Sequence, residues 1–445
     1  MEDNWKDCEL GDVIELKRGY DLPKSKRKDG TVPIISSSGS SGCHNDFKIS
    51  SPGVVTGRYG TIGEVFYVEE NFWPLNTTLY VKDFKGNDPL FIYYLLQTIS
   101  FQDYTDKGAV PGINRNHVHK AKVRVPESLE VQRDLGKKLY QFEQRMRLNQ
   151  QINQTLEQMA QTLFKSWFVD FDPAVDNALA AGNPIPDELA HRVEVRKKAH
   201  ALPDFHPLPE HIRNLFPSEF EQTGEPAVGI GGWVPKGWEF GRICNLCSRV
   251  ESGGTPSRKE QRYWDNGNVP WLTSGEVRQT IVTKSNSFIT EDGLLNSSAK
   301  LWQPFTTVVA MYGATAGQVT LLACETSANQ ACCALIPDTN SALYVFFKAK
   351  NSVQIYEGKA SGSAQQNLNK TIVSNLEVIL PPKELLKMFD NLLRPNVLKM
   401  MDNEQQNFNL EAIRDALLPK LISGEIHLNS TAENNINQEA ELQGV

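Results

Sequence analysis

Several groupings in this chain carry the residue types of catalysis, and each fails on spacing. Pro186-Asp187 followed by Glu194-Val195-Arg196-Lys197 has the carboxylates and lysine of a metal-dependent nuclease. Their separation is too short for the strand hairpin that converges such groups on an ion, so the segment reads as a charged helix. Cys244 and Cys247 form one CxxC without the second Cys or His pair that a four-ligand zinc site requires, and read as buried thiols. Asn183-Pro184-Ile185-Pro186 lacks the aromatic residue that holds a flipped adenine for methylation. Gly229, Gly231 and Gly232 precede Trp233-Val234-Pro235 rather than a helix, which makes a turn instead of a phosphate cradle. No residue is therefore assigned to catalysis or to a metal.

What remains is a set of donors and acceptors on loops, the chemistry that reads base edges and phosphates: Arg and Lys suit guanine, Asn and Gln suit adenine. In the first part of the chain these are Lys24, Lys26, Arg27 and Lys28 between Pro23 and Gly30, then His44, Asn45 and Arg58, then Asn114, Arg115, Asn116 and His117. In the second they are Arg258, Lys259, Arg262 and Tyr263, then Thr273, Ser274, Glu276 and Arg278, then Gln365, Gln366, Asn367 and Lys370. A basic run such as 24–28 equally suits a solvated loop, and Asn367 and Asn369 equally suit turn caps. Trp271, Tyr59 and Tyr312 read as core or loop-packing aromatics rather than stacking platforms.

The elements that position these residues come in two copies. Ile113-Asn114, Val123 and Pro126 recur 255 residues later as Leu368-Asn369, Val378 and Pro381. Tyr59-Gly60, Gly63 and Val65 recur as Tyr312-Gly313, Gly317 and Val319 with one residue inserted. Each copy opens with short β-branched and aromatic runs broken by Gly, Asn, Ser and Pro, the texture of a small strand-rich domain with long loops. Each ends in a long helix, about Leu129 to Phe168 and about Lys383 to Ile422, with apolar residues at coiled-coil spacing. Asn149 and Asn153 fall on the first seam, with Asn403 and Asn407 at the equivalent places in the second. Buried asparagines are best attested as register devices, and an antiparallel pairing would bring the two sets together. Pro395 should kink the second helix or delay its start. The expected class is α+β: two pseudo-repeated strand-rich domains, residues 1–126 and 233–381, joined by long helices, 127–169 and 382–425, in an antiparallel coiled coil. Residues 170–232 read as an acidic, proline-containing connector, and 426–445 as a disordered tail.

Composition bounds the function classes. The 445 residues are 40% hydrophobic and 22% charged, and no apolar run is long enough to span a bilayer, which points to a soluble cytoplasmic protein. Seven scattered cysteines fit a reducing compartment. The net charge of -7 argues against nucleic acid until its distribution is read. Residues 1–126 carry 16 basic and 16 acidic groups and 233–381 carry 13 and 11, whereas 170–232 carry 5 and 11. The acid lies in the connector, leaving the strand-rich segments free to form local basic surfaces.

Duplicated loop-rich domains on rigid helices suit two separated DNA half-sites, because a helix of about 40 residues rises about 60 Å, more than the roughly 34 Å of one DNA turn. Several further segments carry a resemblance: Leu163-Phe164-Lys165-Ser166-Trp167-Phe168-Val169-Asp170-Phe171-Asp172-Pro173, Gly232-Trp233-Val234-Pro235-Lys236-Gly237-Trp238, Gly253-Gly254-Thr255-Pro256-Ser257, Val269-Pro270-Trp271, Gln365-Gln366-Asn367-Leu368, and Leu417-Leu418-Pro419-Lys420-Leu421. In that order they resemble the specificity subunits of type I restriction-modification systems, over nearly all of residues 1–425. The resemblance implies a noncatalytic DNA-recognition subunit binding a bipartite double-stranded target. Its helical regions would dock two modification subunits that methylate adenine N6 with S-adenosylmethionine, and two restriction subunits using ATP and magnesium would complete the complex. The first copy departs from the pattern, with Gly19-Tyr20-Asp21-Leu22-Pro23 and Pro111-Gly112-Ile113 in place of the glycine-threonine-proline and paired-glutamine runs. Two rival readings stand beside it, an autonomous metal-dependent endonuclease and a duplicated protein-binding scaffold.

Overall fold

The computed structural model describes residues 4–105, 112–361 and 367–426; Gln365, Gln366 and the tail from His427 lie outside them. The chain forms two compact units, residues 1–148 with 406–445, and residues 149–405. Each unit holds one strand-rich domain and half of each long helix.

In the first unit the strands are β1 (Trp5–Glu9), β2 (Glu15–Arg18), β3 (Val32–Ser36), β4 (Gly39–His44), β5 (Gly53–Gly57), β6 (Val65–Val68), β7 (Trp73–Pro74), β8 (Thr78–Asp83) and β9 (Lys122–Pro126). They form a sheet of order β2-β8-β5-β6, a sheet of order β4-β3-β7 and the antiparallel pair β1-β9. In the second unit β10 (Phe220–Gln222) pairs with β11 (Trp233–Pro235), and then the first plan returns. Its strands are β12 (Glu239–Arg242), β13 (Cys247–Ser252), β14 (Val269–Leu272), β15 (Ile281–Val282), β16 (Phe288–Ile289), β17 (Thr307–Ala310), β18 (Val319–Leu322), β19 (Ser327–Ala328), β20 (Cys332–Pro337) and β21 (Glu377–Leu380). The sheets run β13-β20-β17-β18-β15, β16-β14-β19 and β12-β21. Strand directions match too, since β3 with β7 and β14 with β19 are the parallel pairs of the small sheets. Only β15, added parallel to β18, breaks the equivalence of these sheets.

Both central strands read as unbroken apolar runs because both their faces are covered. Val54 of β5 enters the main core of its unit with Leu79, Phe91 and Leu95, while Val55 faces a second cluster with Phe72 and Tyr80. In β17, Val309 and Val308 divide in the same way between two clusters. This is the alternation of a strand packed on both sides. The helix Pro89–Gln97 backs the first sheet, started by Asp88, whose side chain accepts from the N–H groups of Leu90 and Phe91.

The long helices run Leu129–Phe168 and Lys383–Ile422, each 40 residues. The second passes through Pro395 without a break and starts where the seam does, so the proline neither delays nor ends it. Pro395 and Asn391, whose carbonyl loses its bond, are both exposed, so water can satisfy that group. Within each unit the helix halves run antiparallel. In the second, Asn153 faces Asn403 and Phe164 meets Phe389; in the first, Glu143 faces Arg414 while Leu139 shares a core with Leu418 and Leu421.

One consequence of this pairing is reciprocal. The end of the distal helix, Leu418, Leu421 and Ile422, is buried in the core of the first strand-rich domain. The equivalent residues of the central helix, Phe164, Trp167 and Phe168, are buried in the core of the second. Each repeat's sheet domain is thus completed by the helix of the other repeat.

The connector is more than a tether. Phe171, Ala174, Val175, Leu189, Ile212, Phe216 and Val228 join the core of the second unit, with Trp167 edge-on to Phe216 at 5.1 Å. Its acid is partly neutralised: Arg192 contacts Asp172 at 2.6 Å and Asp170 at 3.3 Å, and Arg196 contacts Asp176 at 2.5 Å. The Asp187 to Lys197 segment forms a short turn and the helix Ala190–His200, the charged helix read from the sequence.

Candidate nucleic-acid interface

In the first unit the polar loop residues gather in two places. Lys24, Lys26 and Lys28 are exposed on the turn after Pro23. Arg27 fastens that turn to the β3-β4 hairpin by donating from Nη1 to the Ser41 carbonyl at 2.6 Å, and the Lys28 N–H donates to His44 Nδ1 at 3.0 Å. His44 is itself buried, edge-on to Trp73 at 5.3 Å, and acts as a post for the loop, with Asn45 exposed beside it. The second place forms where the Ile113 N–H donates to the Arg58 carbonyl at 3.0 Å, bringing Arg58 to Asn114, Arg115, Asn116 and His117. Arg58 lies over the Tyr59 ring at 4.4 Å. The Asn114 side chain caps a short helix by accepting from the Asn116 N–H, which leaves Arg115, Asn116 and His117 exposed.

The second unit repeats both places with other residues. Trp271, buried, donates from Nε1 to the Gly254 carbonyl at 3.0 Å and so holds the turn that presents Arg258 and Lys259. Arg258 stacks 3.5 Å from the Trp264 ring centre; Arg262 lies over Tyr263 at 4.9 Å and meets Asp292 at 3.4 Å. Tyr263 is buried, so only its guanidinium neighbour faces out. The other place pairs Tyr312 with Asn367 and sets Gly313–Thr315 against the turn Ser274–Arg278. There Glu276 is occupied, accepting from the N–H of Thr273 at 2.9 Å, its hydroxyl at 2.8 Å and the N–H of Asn286 at 2.8 Å. Thr273 and Ser274 are half-buried beside it, while Arg278 and Lys370 are exposed. Asn369 caps the next helix by accepting from the Ile372 N–H at 2.9 Å. Tyr312 is 39% exposed, so of the two expected places, core or loop, it takes the loop.

The turns that carry these clusters need left-handed backbone. Gly60 and Gly63 have φ of 79° and 90°, and their equivalents Gly313 and Gly317 have 74° and 89°. No L side chain adopts that geometry without strain, which explains why the glycines recur in both copies. Among the described residues no group of three or more His, Cys, Asp or Glu is placed to hold a metal. Burial pushes the Cys247 thiol up to about 12, and it donates to the Ile243 carbonyl at 3.4 Å.

Residues 2–158 and 235–394 match the type I restriction modification DNA specificity domain, once for each strand-rich copy. The chain belongs to this family. Among its relatives, the specificity subunit of the type I restriction enzyme HindI from Haemophilus influenzae is 29% identical over 360 residues, 76% of this chain and 77% of that one. The MjaIX specificity subunit of Methanocaldococcus jannaschii is 23% identical over 348 residues, 76% and 69% of the two chains. The fold is shared with the crystallised S subunit of M. genitalium, at a TM-score of 0.59 and 14% identity, covering 95% of this chain and 96% of that one. As a specificity subunit the chain is the DNA-recognition component of its system.

The specificity subunit's loops hold candidates that residue type alone did not single out. Ser37 and Ser38 form the tip of the β3-β4 hairpin, and the Ser37 carbonyl lies against Gly57, beside Arg58. Nothing in a run of serines marks them; only the pairing of β3 with β4 carries them there. Among the described residues no helix is long and apolar enough to cross a membrane.

Proposed function

We propose that this specificity subunit reads a bipartite, asymmetric DNA target, one half-site by each strand-rich domain, and that its helical regions dock two modification subunits, with two restriction subunits joining through them. The observation that carries this is the repetition of one topology with two loop clusters in equivalent places and different side chains in each. Lys24, Lys26 and Lys28 correspond in that comparison to Arg258, Lys259 and Arg262, and Arg58 with Arg115 to His117 corresponds to Arg278 with Lys370. Equal frames with unequal donors suit two unlike half-sites. The exposed Lys and Arg would contact phosphates and base edges, whereas His44, Tyr263 and Glu276 would shape the loops that present them. Continuous helices of about 60 Å suit a fixed, unread spacer between the half-sites. The chemistry would belong to the partners: adenine N6 methylation with S-adenosylmethionine in the modification subunits, ATP and magnesium in the restriction subunits.

The test is an exchange of residues 1–126 for the matching domain of another specificity subunit, followed by methylation mapping of genomic DNA. One half-site should change while the other and the spacer length persist. Loss of neither half-site would favour a scaffold, and cleavage of DNA by the purified chain with magnesium alone would favour a nuclease.

A further inference from the structure

The seam between the helices poses a problem that duplication creates. Two copies of one plan can pair with each other, or each can pair with the same copy in a second chain. The asparagine layer does not distinguish these outcomes. Asn403 Nδ2 donates to Asn153 Oδ1 at 2.8 Å, but Asn149 and Asn153 occupy the same repeat, so central helices from two chains would also set asparagine against asparagine. Register is specified by the layer; choice of partner is not.

Other positions differ between the repeats. In the first unit Glu143 and Arg414 face each other at 4.0 Å with side chains only 14% and 19% exposed, and Tyr93 donates its hydroxyl to Glu143 at 3.1 Å. Shifted by the repeat length of 254, Glu143 becomes Val397 and Arg414 becomes Ala160, both buried in the core of the second unit. Central-to-distal pairing thus matches charge with charge and apolar with apolar. Pairing of two central helices would set Glu143 against Ala160, and pairing of two distal helices would set Arg414 against Val397. Each mismatch buries a charge without its cross-helix partner, leaving Arg414 with the exposed Asp415 beside it on its own helix at 2.7 Å and Glu143 with the Tyr93 hydroxyl, the costly arrangement. Size follows the same rule. The first domain accommodates Leu418, Leu421 and Ile422, and in a self-paired assembly it would receive the bulkier Phe164, Trp167 and Phe168.

We propose that Glu143 and Arg414, supported by the aromatic-for-aliphatic difference at the helix ends, form a pairing code that makes the two repeats fit each other and excludes a second copy of this chain. The code is independent of the DNA-reading function, because every residue in it lies in the seam or beneath the sheets. The intact chain is unfolded and refolded over a concentration series, and monomer and dimer are separated by size-exclusion chromatography with light scattering. The wild-type chain should return as monomer. Glu143→Arg and Arg414→Glu each set like charges against each other in the proper pairing, and should raise the dimer fraction about tenfold or more. Simple exchange of helices between chains keeps position 143 against 414 and gives no relief, so self-pairing is the escape. The combined reversal should restore monomer. If single reversals aggregate, the neutral Glu143→Gln and Arg414→Gln chains supply the measurement, with a smaller rise in dimer. A dimer fraction unchanged in all the single variants, or a combined reversal that fails to restore monomer, overturns the proposal.

Discussion

The asparagine layer of the second unit makes a quantitative prediction about non-additivity. Asn153 is 7% exposed and Asn403 fully buried; besides accepting from Asn403, Asn153 donates to the Met400 carbonyl at 3.2 Å and to Glu404 at 2.9 Å. Asn403 Oδ1 has no hydrogen-bond partner among the described residues. Asn153→Leu strands the Asn403 amide N–H and Asn403→Leu strands the Asn153 Oδ1, at about 1–3 kcal/mol per unsatisfied group. Each also gains about 1.5–3 kcal/mol from the buried side chain, so each single substitution should lie near neutral. The Asn153→Leu/Asn403→Leu chain strands no amide across the pair and keeps both apolar gains. It should exceed the sum of the singles by about 2–6 kcal/mol, on the order of 4–24 °C in melting temperature for a unit of this size. Calorimetry of the four proteins measures this directly. Spin labels at the exposed positions Gln158 and Lys399 should also show a broader distance distribution in the double variant, as register loosens. Energies that add within about 0.5 kcal/mol, the behaviour of independent sites, would refute the coupling.

Other perturbations reach the loops. Trp271→Phe removes the donor to the Gly254 carbonyl at an expected cost of about 1–3 kcal/mol; footprinting should show weakened protection over one half-site and unchanged protection over the other. Alanine at Lys24, Lys26 and Lys28 together should lower the slope of log affinity against log salt by up to about 0.9 per lysine without changing the sequence read. Gly313→Ala, at φ 74° with open space around the added methyl, should cost about 1 kcal/mol of unfolding free energy through backbone strain alone. His119 accepts the Leu16 N–H at Nε2, and burial holds its pKa below the ordinary 6.5. The unfolded chain therefore binds the extra proton first. This contribution to stability is complete above pH 6.5 and is lost as pH falls through the folded value, and His119→Gln should flatten that part of the stability curve in denaturant titrations.

Much of this architecture was legible because periodicity survives duplication. The helices were visible from Leu135, Leu139, Leu417 and Leu421 at coiled-coil spacing, and the strand-rich copies from paired landmarks such as Tyr59-Gly60 and Tyr312-Gly313. The connector's role was hidden. Its acid and prolines dominate composition, while Phe171, Val175, Ile212 and Phe216 follow no period, so their burial in the second unit depends on tertiary packing. The delayed start expected from Pro395 does not occur because a proline's effect depends on whether water reaches the freed carbonyl, and helix exposure is not written in the residue itself. At the interface, residue type identified donors but not their freedom. His44 and Glu276 have suitable chemistry yet are held by Lys28, Thr273 and Asn286, contacts set by loops folding back across many residues. The serines at the hairpin tip were missed for the opposite reason, since common residues become notable only where the turn carries them.

The reciprocal insertion of helix ends gives damage at one end of the gene an effect at the other. A stop codon shortly before Leu417 would spare every residue of both sheets, yet it would take the lid from the domain encoded first. Such a chain should misread the half-site assigned to its amino terminus, an inversion of the usual expectation that a lesion harms what lies nearest to it.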